Sequence, residues 1–307
     1  MELSVIIPVY GAVDTLRRCV ESLSVGSTDD YEVVLVDDGA TDGSGTLCDE
    51  LAAADDHIRV IHTTNRGPSA ARNTGLEQAR GELIYFADAD DYLEKGTVDQ
   101  VMQLLRDNTE TDIVEFPAMI YFKGSRQWLL PLQTETFING RDYWLKTQGY
   151  THTYVWNKMY RRKLFSGLRF PEGQIYEDAE LMPRLLERAR RIETTEKGFY
   201  YYCDNPKSLT AQSDGRKLRW LLEAYVRTYV EWGMESEPRA TDFYLKMLNA
   251  QLDVYPSTGD ILLPKPSRSL QPKAVEGVTS RIKLRLVSLL GVTGLCRIYK
   301  LKQKVRW

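Results

Sequence analysis

Short apolar runs alternating with stretches of helical period constrain the first third of this chain more than any other feature. Leu3-Ser4-Val5-Ile6-Ile7 is β-branched and almost wholly apolar, as a strand buried on both faces must be. Leu16, Cys19, Val20 and Leu23 then return at helical spacing. Residues 32–36 read as a second buried strand, 58–61 as a third and 82–87 as a fourth. Between them Asp42 is placed to cap a helix, and residues 69–79 read as another, with Pro68 or Ser69 at its start. Val98, Val101, Met102 and Leu105 mark one more helical face. Strands alternating with helices predict a parallel sheet covered on both sides. In such sheets ligands bind outside the carboxyl ends of the strands. Three segments follow strands directly and should share that rim: Pro8-Val9-Tyr10, Asp37-Asp38-Gly39 and Asp88-Ala89-Asp90-Asp91.

The pattern changes after residue 111. Residues 112–122 and 126–132 read as strands around a Lys123-Gly124-Ser125 turn, and 139–147 as a helix. Residues 177–190 read as a helix carrying Pro183, and 192–203 as one strand ending in Tyr200-Tyr201-Tyr202. Residues 216–232 and 240–252 have helical character, whereas 256–277 is rich in Pro, Ser and Gly and reads as a linker.

The net charge of -3 gives no overall case for a nucleic-acid binder. The charge is unevenly placed, however. Residues 281–307 hold eight Lys/Arg and no Asp/Glu, which leaves -11 on the rest of the chain. Ile282, Leu286, Leu289 and Leu290 fall near helical spacing within this tail. It reads either as a basic amphipathic helix lying on an anionic membrane or as a helix drawn to the acidic body. Cys19, Cys48, Cys203 and Cys296 are scattered with no C-x-x-C pair, which fits a reducing cytosol. The chain opens directly on an apolar strand, with no signal-peptide pattern, and no apolar run reaches the ~18 residues of a spanning helix. The expected location is cytoplasmic, with peripheral contact on the inner face of the cell membrane as the tail's membrane reading requires.

Five motifs can carry chemistry. Asp88, Asp90 and Asp91 repel one another unless something positive compensates, and a hard cation such as Mg²⁺ or Mn²⁺ does so through oxygen ligands. Alone, so short a cluster is equally at home in a solvated loop. Asp37-Asp38-Gly39 can offer a carboxylate to a ribose or base, or simply form a turn. Asn65-Arg66-Gly67-Pro68-Ser69-Ala70-Ala71-Arg72-Asn73 puts small residues and two arginines at a helix N-terminus, where phosphate is favoured. Glu177-Asp178 can supply a general base for an acceptor hydroxyl, or complement a helix dipole. Trp156 can stack on a sugar ring, with Asn157-Lys158 beside it, or be a core tryptophan next to a solvated lysine.

Taken in order, these pieces form a set. Ser4-Val5-Ile6-Ile7-Pro8-Val9-Tyr10, Val36-Asp37-Asp38-Gly39 with Asp42, residues 67–75, the 88–91 cluster and Glu177-Asp178 together resemble the family-2 inverting glycosyltransferases of the GT-A fold, of the bacterial cell-surface polysaccharide type. Trp156-Asn157-Lys158 and Asn205-Pro206-Lys207-Ser208-Leu209-Thr210 look like further family elements. The match is strong over residues 1–110 and looser over 150–212. It implies an α/β, Rossmann-like GT-A domain over 1–212, a mixed sheet flanked by helices, with a nucleotide-sugar-binding half (1–110) and an acceptor half (111–212). A helical extension (213–255), a linker (256–280) and the basic amphipathic tail (281–307) would follow.

The resemblance also implies an activity: transfer of a sugar from a nucleoside-diphospho-sugar, a UDP-sugar by analogy, to a hydroxyl of a glycan or glycolipid acceptor, with inversion and with Mn²⁺ or Mg²⁺. Pro8 and Tyr10 would pack around the base, Asp38 would contact uracil, and Arg72 and Arg66 would approach the base or phosphates. Asp88, with Ala89 beside it, would serve the ribose side and help hold the metal. Asp90 would be the direct ligand, and Asp91 a ligand or a loop-former. Asp178 would be the base, with Glu177 as fallback, and Trp156, Asn157 and Lys158 would touch donor or acceptor. Two departures stand out: Ala40 replaces the usual serine after the V-D-D-G turn, and Gly11 stands where many members carry Asn. The lack of transmembrane helices after the catalytic region argues against a processive synthase. No G-x-G-x-x-G or phosphate-loop motif is present, and His57, His62 and His152 form no H-E-x-x-H. The competing reading is a binding or assembly protein of the same fold, against which the joint retention of Asp90 and Glu177-Asp178 stands.

Overall fold

A computed structural model describes residues 1–205, 215–273 and 275–304. The first four strands, β1 (Leu3–Val9), β2 (Tyr31–Asp37), β3 (Ile58–His62) and β4 (Leu83–Phe86), alternate with α1 (Leu16–Leu23), α2 (Ser44–Ala54) and α3 (Pro68–Gln78). There follow β5 (Tyr92–Leu93), α4 (Thr97–Asp107), β6 (Ile113–Glu115), β7 (Ala118–Phe122), β8 (Trp128–Leu130), β9 (Glu135–Phe137) and α5 (Gly140–Lys146). The rest comprises β10 (Lys158–Arg161), α6 (Glu177–Arg188), β11 (Ile192–Thr194), β12 (Tyr200–Cys203), α7 (Leu218–Glu231), α8 (Thr241–Thr258) and α9 (Val278–Lys304).

The chain forms two compact units, each built from separated stretches. The first comprises Met1–Asp142, Tyr154–Gly173 and Leu181–Pro206; the second comprises Tyr143–Thr153, Gln174–Glu180 and Lys207–Trp307. This division cuts the chain differently from an expected boundary at residue 212, because α5 and α6 each pass from one unit to the other.

The first unit holds a mixed sheet in the order β3-β2-β1-β4-β10-β6-β11-β9 and a smaller sheet in the order β5-β12-β7-β8. Strands β3, β2, β1 and β4 run parallel, so their carboxyl ends share one edge. The near-continuous apolarity of these strands follows from burial on both faces. Leu3, Val5, Ile7 and Val9 face a core with residues of α1 and α4, whereas Val34 and Val36 face Ala71 of α3. A Cβ on Gly75 would sit 2.3 Å from the Ile6 side chain, so only glycine lets α3 approach β1 this closely.

Residues 112–122 are two strands in two different sheets, parted by Pro117, which has no N–H to donate to a ladder. Residues 192–203 are also two strands, with Gly198 in the left-handed region (φ 79°) between them. α8 runs on through Pro256 to Thr258, so the expected linker begins inside a helix. α9 begins at Val278 and bends at Gly291 (φ 68°, ψ 169°). The second unit is centred on aromatic side chains: Phe243 meets Trp144, Tyr150, Tyr225 and Tyr229. Among the described residues no helix is long and apolar enough to cross a membrane.

Candidate active site

The parallel strand ends of the first unit gather most of the expected donor-side residues. Pro8 is the half-buried penultimate residue of β1, and Tyr10 just beyond it is 57% exposed. Gly11 follows with φ 65°. Glycine, and asparagine next to it, tolerate that left-handed backbone best, which explains why the departure at this position costs nothing. The Ala40 departure is equally neutral, since the turn uses its backbone: the Ala40 N–H donates to Asp37 Oδ1 at 2.9 Å.

Asp37 and Asp38 face different tasks. Asp37 Oδ2 meets His62 Nδ1 at 2.8 Å. Asp38, 3% exposed, accepts from the Arg66 amide at Oδ1 (2.9 Å) and from the Gly67 amide at Oδ2 (2.7 Å). Its carboxylate therefore organises the loop between β3 and α3, a role beyond the base contact expected from the sequence. Gly67 (φ 90°) lets the chain turn into α3, with Pro68 at the first helical position. The Arg66 guanidinium pairs with Glu172 at 2.5 Å. Arg72, nearly buried, donates to Asp88 Oδ1 at 2.8 Å and lies over the Phe170 ring.

The acidic segment after β4 has three carboxylates in three environments. Asp88 is partly exposed and paired with Arg72. Asp90 Oδ2 accepts from Asn205 Nδ2 at 2.9 Å, and Arg18 of α1 donates to the Asp90 carbonyl at 2.6 Å. Burial, then the neighbouring charge of Asp88, pushes the Asp90 carboxyl up from its ordinary range. Asp91 is turned inward and fully buried. Burial, with the charges of Asp90 and Asp88, holds its carboxyl well above the usual range. It accepts from the Cys203 amide (2.7 Å) and the Tyr200 hydroxyl (2.9 Å). That same hydroxyl accepts the Asp88 N–H at 3.2 Å. Asp91 thus shapes the loop, Ala89 is buried in the core beside it, and the Asp88 side chain stays partly exposed.

Among the described residues no group of three or more His, Cys, Asp or Glu is arranged to hold a metal ion. Asp88 and Asp90, two residues apart, with the Asp88 charge adding to the burial that raises Asp90, do fit a hard cation whose other ligands come from phosphate and water oxygens.

Trp156, Asn157 and Lys158 are corrected by the structure. Trp156 is 4% exposed and stacks between Tyr154 (4.7 Å) and Tyr200 (4.4 Å). Asn157 and Lys158 are fully buried. Lys158 Nζ lies 2.7 Å from Glu115 and donates to the Tyr154 carbonyl at 2.9 Å. Their polar groups are engaged inside the sheet, because β10 is flanked by β4 and β6. These two residues brace the Trp156 segment and do not face a substrate.

Glu177 and Asp178 belong to the second unit. They are half-buried in the first turn of α6, and Asp178 Oδ1 accepts from the Ala179 amide at 2.8 Å. Tyr176 immediately before them adopts φ 64°, a backbone that a bulky side chain seldom takes and that surrounding structure must enforce. Of the Asn205–Thr210 motif, residues 206–210 lie outside the described residues. Sequence reasoning missed Arg18, Tyr200 and Asn205 as the clamp on the acidic loop. The only signal was that Asn205 opened a family-like motif and Tyr200 a tyrosine-rich strand.

EpsJ of Bacillus subtilis (strain 168), described as an uncharacterised glycosyltransferase, is 33% identical over 219 residues, covering 68% of this chain and 62% of EpsJ. The minor teichoic acid biosynthesis protein GgaA of the same organism is 31% identical over 209 residues, 65% of this chain and 46% of GgaA. The chain thus spans less than two thirds of the length of these curated relatives. The crystal structure of S. aureus TarS 1–349 in complex with UDP-GlcNAc superposes with a TM-score of 0.69 at 20% identity, covering 99% of this chain and 92% of that one. The chain therefore has that protein's fold, the GT-A architecture. The family model described as glycosyl transferase family 2 matches residues 4–169, which include nearly all of β1, the aspartate pair at the end of β2, α3 and the acidic loop after β4. On that match, together with the rim geometry, the chain belongs to glycosyl transferase family 2.

Proposed function

We propose that the protein transfers a sugar from a nucleoside-diphospho-sugar, a UDP-sugar, to a hydroxyl of a glycan or glycolipid acceptor with inversion, in the synthesis of a bacterial cell-surface polysaccharide. The observation that carries this reading is the convergence of Tyr10, the Asp38-held loop with Arg66, the Arg72–Asp88 pair and Asp90 on one strand-end edge. An aromatic ring beside a carboxylate-braced loop suits a nucleoside, and Arg66 and Arg72 suit its phosphates. The nucleotide bound by TarS and the teichoic acid role in the name of GgaA support the donor and the product class.

Asp90 and Asp88 would hold Mn²⁺ or Mg²⁺, which supplies neutralisation of the charge on a departing nucleoside diphosphate. Asp178 takes the proton from the acceptor hydroxyl, with Glu177 as the alternative base. The hydroxyl oxygen then attacks the anomeric carbon on the face opposite the departing diphosphate, and one displacement inverts the configuration. No covalent sugar–enzyme intermediate is required, unlike the two-step route of retaining hydrolases.

The test incubates the full chain with a panel of nucleotide sugars, with Mn²⁺ and then with chelator, and follows nucleoside diphosphate release with and without acceptors. Release from one donor that rises with a matching acceptor and falls with chelator supports the proposal. Donor binding without turnover across a broad acceptor panel would make the chain a binding protein of the same fold.

A further inference from the structure

Of the fourteen large hydrophobic side chains exposed among the described residues, six lie on α9: Val278, Ile282, Leu289, Leu290, Ile298 and Leu301. This helix already has a buried apolar face, formed by Leu284, Val287, Val292, Leu295 and Cys296, and it packs on α8. It therefore carries a second apolar face pointing the other way. Before the bend at Gly291, Val278, Ile282 and Leu289 are four and seven residues apart and fall on one line, with Arg281 and Arg285 along its side. After the bend, Ile298 and Leu301 hold the corresponding place, with Arg297 and Lys302 exposed among them. Leu289 is 80% exposed and Leu301 64%, and on α9 such side chains form a row on one face where singly exposed ones would carry no meaning.

The charge of α9 names the partner. The helix has seven Lys/Arg and no Asp/Glu. Arg281, Arg285, Arg297, Lys300 and Lys302 form no ion pair with a carboxylate among the described residues, and Lys283 acts on the Asp253 carboxyl of α8 only through its charge. Lys283 instead donates to the Asn249 side chain, Arg281 to the Val275 carbonyl, and Lys300 lies over the Tyr255 ring. A second copy of this face would set like charges against each other. A nucleic acid would have no use for the apolar line at its centre. An anionic bilayer surface satisfies both halves: apolar side chains enter the headgroup boundary while arginine and lysine heads meet lipid phosphates. We infer that the outward face of α9 docks this protein on an anionic lipid bilayer, lying in the interface and not spanning it.

The experiment is co-sedimentation of the full chain with vesicles of phosphatidylcholine alone and of phosphatidylcholine mixed with phosphatidylglycerol, at low and high salt. Binding is expected only to the anionic vesicles and weakens as salt screens the attraction. Arg285→Glu with Arg297→Glu should lower partitioning at least about tenfold. Ile282→Gln with Leu289→Gln should lower it as well, and because all four side chains are exposed the circular dichroism spectrum should not change. Failure to bind anionic vesicles overturns the inference, as does equal binding to neutral ones. Loss with the arginine variant alone would mark a site for a polyanion. If light scattering shows a dimer that the Ile282→Gln, Leu289→Gln variant dissolves, the face belongs to a second copy.

Discussion

At the residue scale, one hydroxyl ties together two ends of the acidic loop. Tyr200 donates to Asp91 and accepts from the Asp88 amide, so it fixes the inward carboxylate and the backbone beside the outward one. Tyr200→Phe keeps the stack on Trp156 and removes both bonds. Leaving a buried carboxyl short of a donor should cost about 1–3 kcal/mol in urea unfolding. The same variant should raise the metal concentration needed for half-maximal donor binding, because the backbone at Asp88 loses one of its anchors while the Arg72 pair stays. A variant with parental metal dependence would reduce Tyr200 to a packing residue. Asp90→Asn should weaken metal-dependent donor binding, and an unchanged metal titration would remove Asp90 from the ligand set. Asp178→Asn should abolish transfer while sparing donor binding, and near-parental turnover would pass the base role to Glu177. The carboxylates were legible because they are adjacent in the chain. Their clamp was not, since Arg18, Tyr200 and Asn205 reach the loop from 72, 109 and 115 residues away.

At the scale of the element, β10 shows how position overrides composition. A Trp-Asn-Lys sequence reads naturally as a surface segment offered to a ligand. Leading into β10, which β4 and β6 flank, it is interior instead, and its lysine is held there by Glu115, the Asn157 side chain and the carbonyl of Tyr154. Removing one partner of a buried ion pair typically costs about 3–5 kcal/mol, because the other charge is left desolvated. Lys158→Met should therefore destabilise by that order in urea unfolding, and adding Glu115→Gln should recover part of the loss. If the double variant is no more stable than Lys158→Met alone, the pair is not what fixes this strand. Strands β5, β9 and β10 escaped sequence reading for the same reason: two to four residues are too few to show a period, and their partners decide their conformation.

At the scale of the whole molecule, the first 110 residues fold largely as their periodicity dictates, since β1, β2 and β3 pair in succession across single-helix connections, while β4 and β5 also take partners far along the chain. Beyond that, the sheet unit is completed by stretches that leave it and return, and long-range polar contacts must hold the returns in place. Asp112, fully buried at the start of β6, is one such contact. It accepts from the Arg190 amide at 2.9 Å, 78 residues away, and lies 2.5 Å from Lys163 Nζ just after β10. Burial opposes its ionisation, yet Lys163 and the amide and side chain of Arg190 outweigh it and hold the carboxyl below the ordinary value. A carboxyl depressed in the folded state stabilises fully above its unfolded pKa of about 3.9, and that contribution is lost as pH falls through the folded value. Asp112→Asn, which resembles the protonated form, should destabilise at neutral pH by about 1–3 kcal/mol. The gap in Tm between parent and variant should then close as the pH drops below about 4. A gap that stays constant on acidification would mean that Asp112 contributes shape and not charge, and that the returning stretches are held by packing alone.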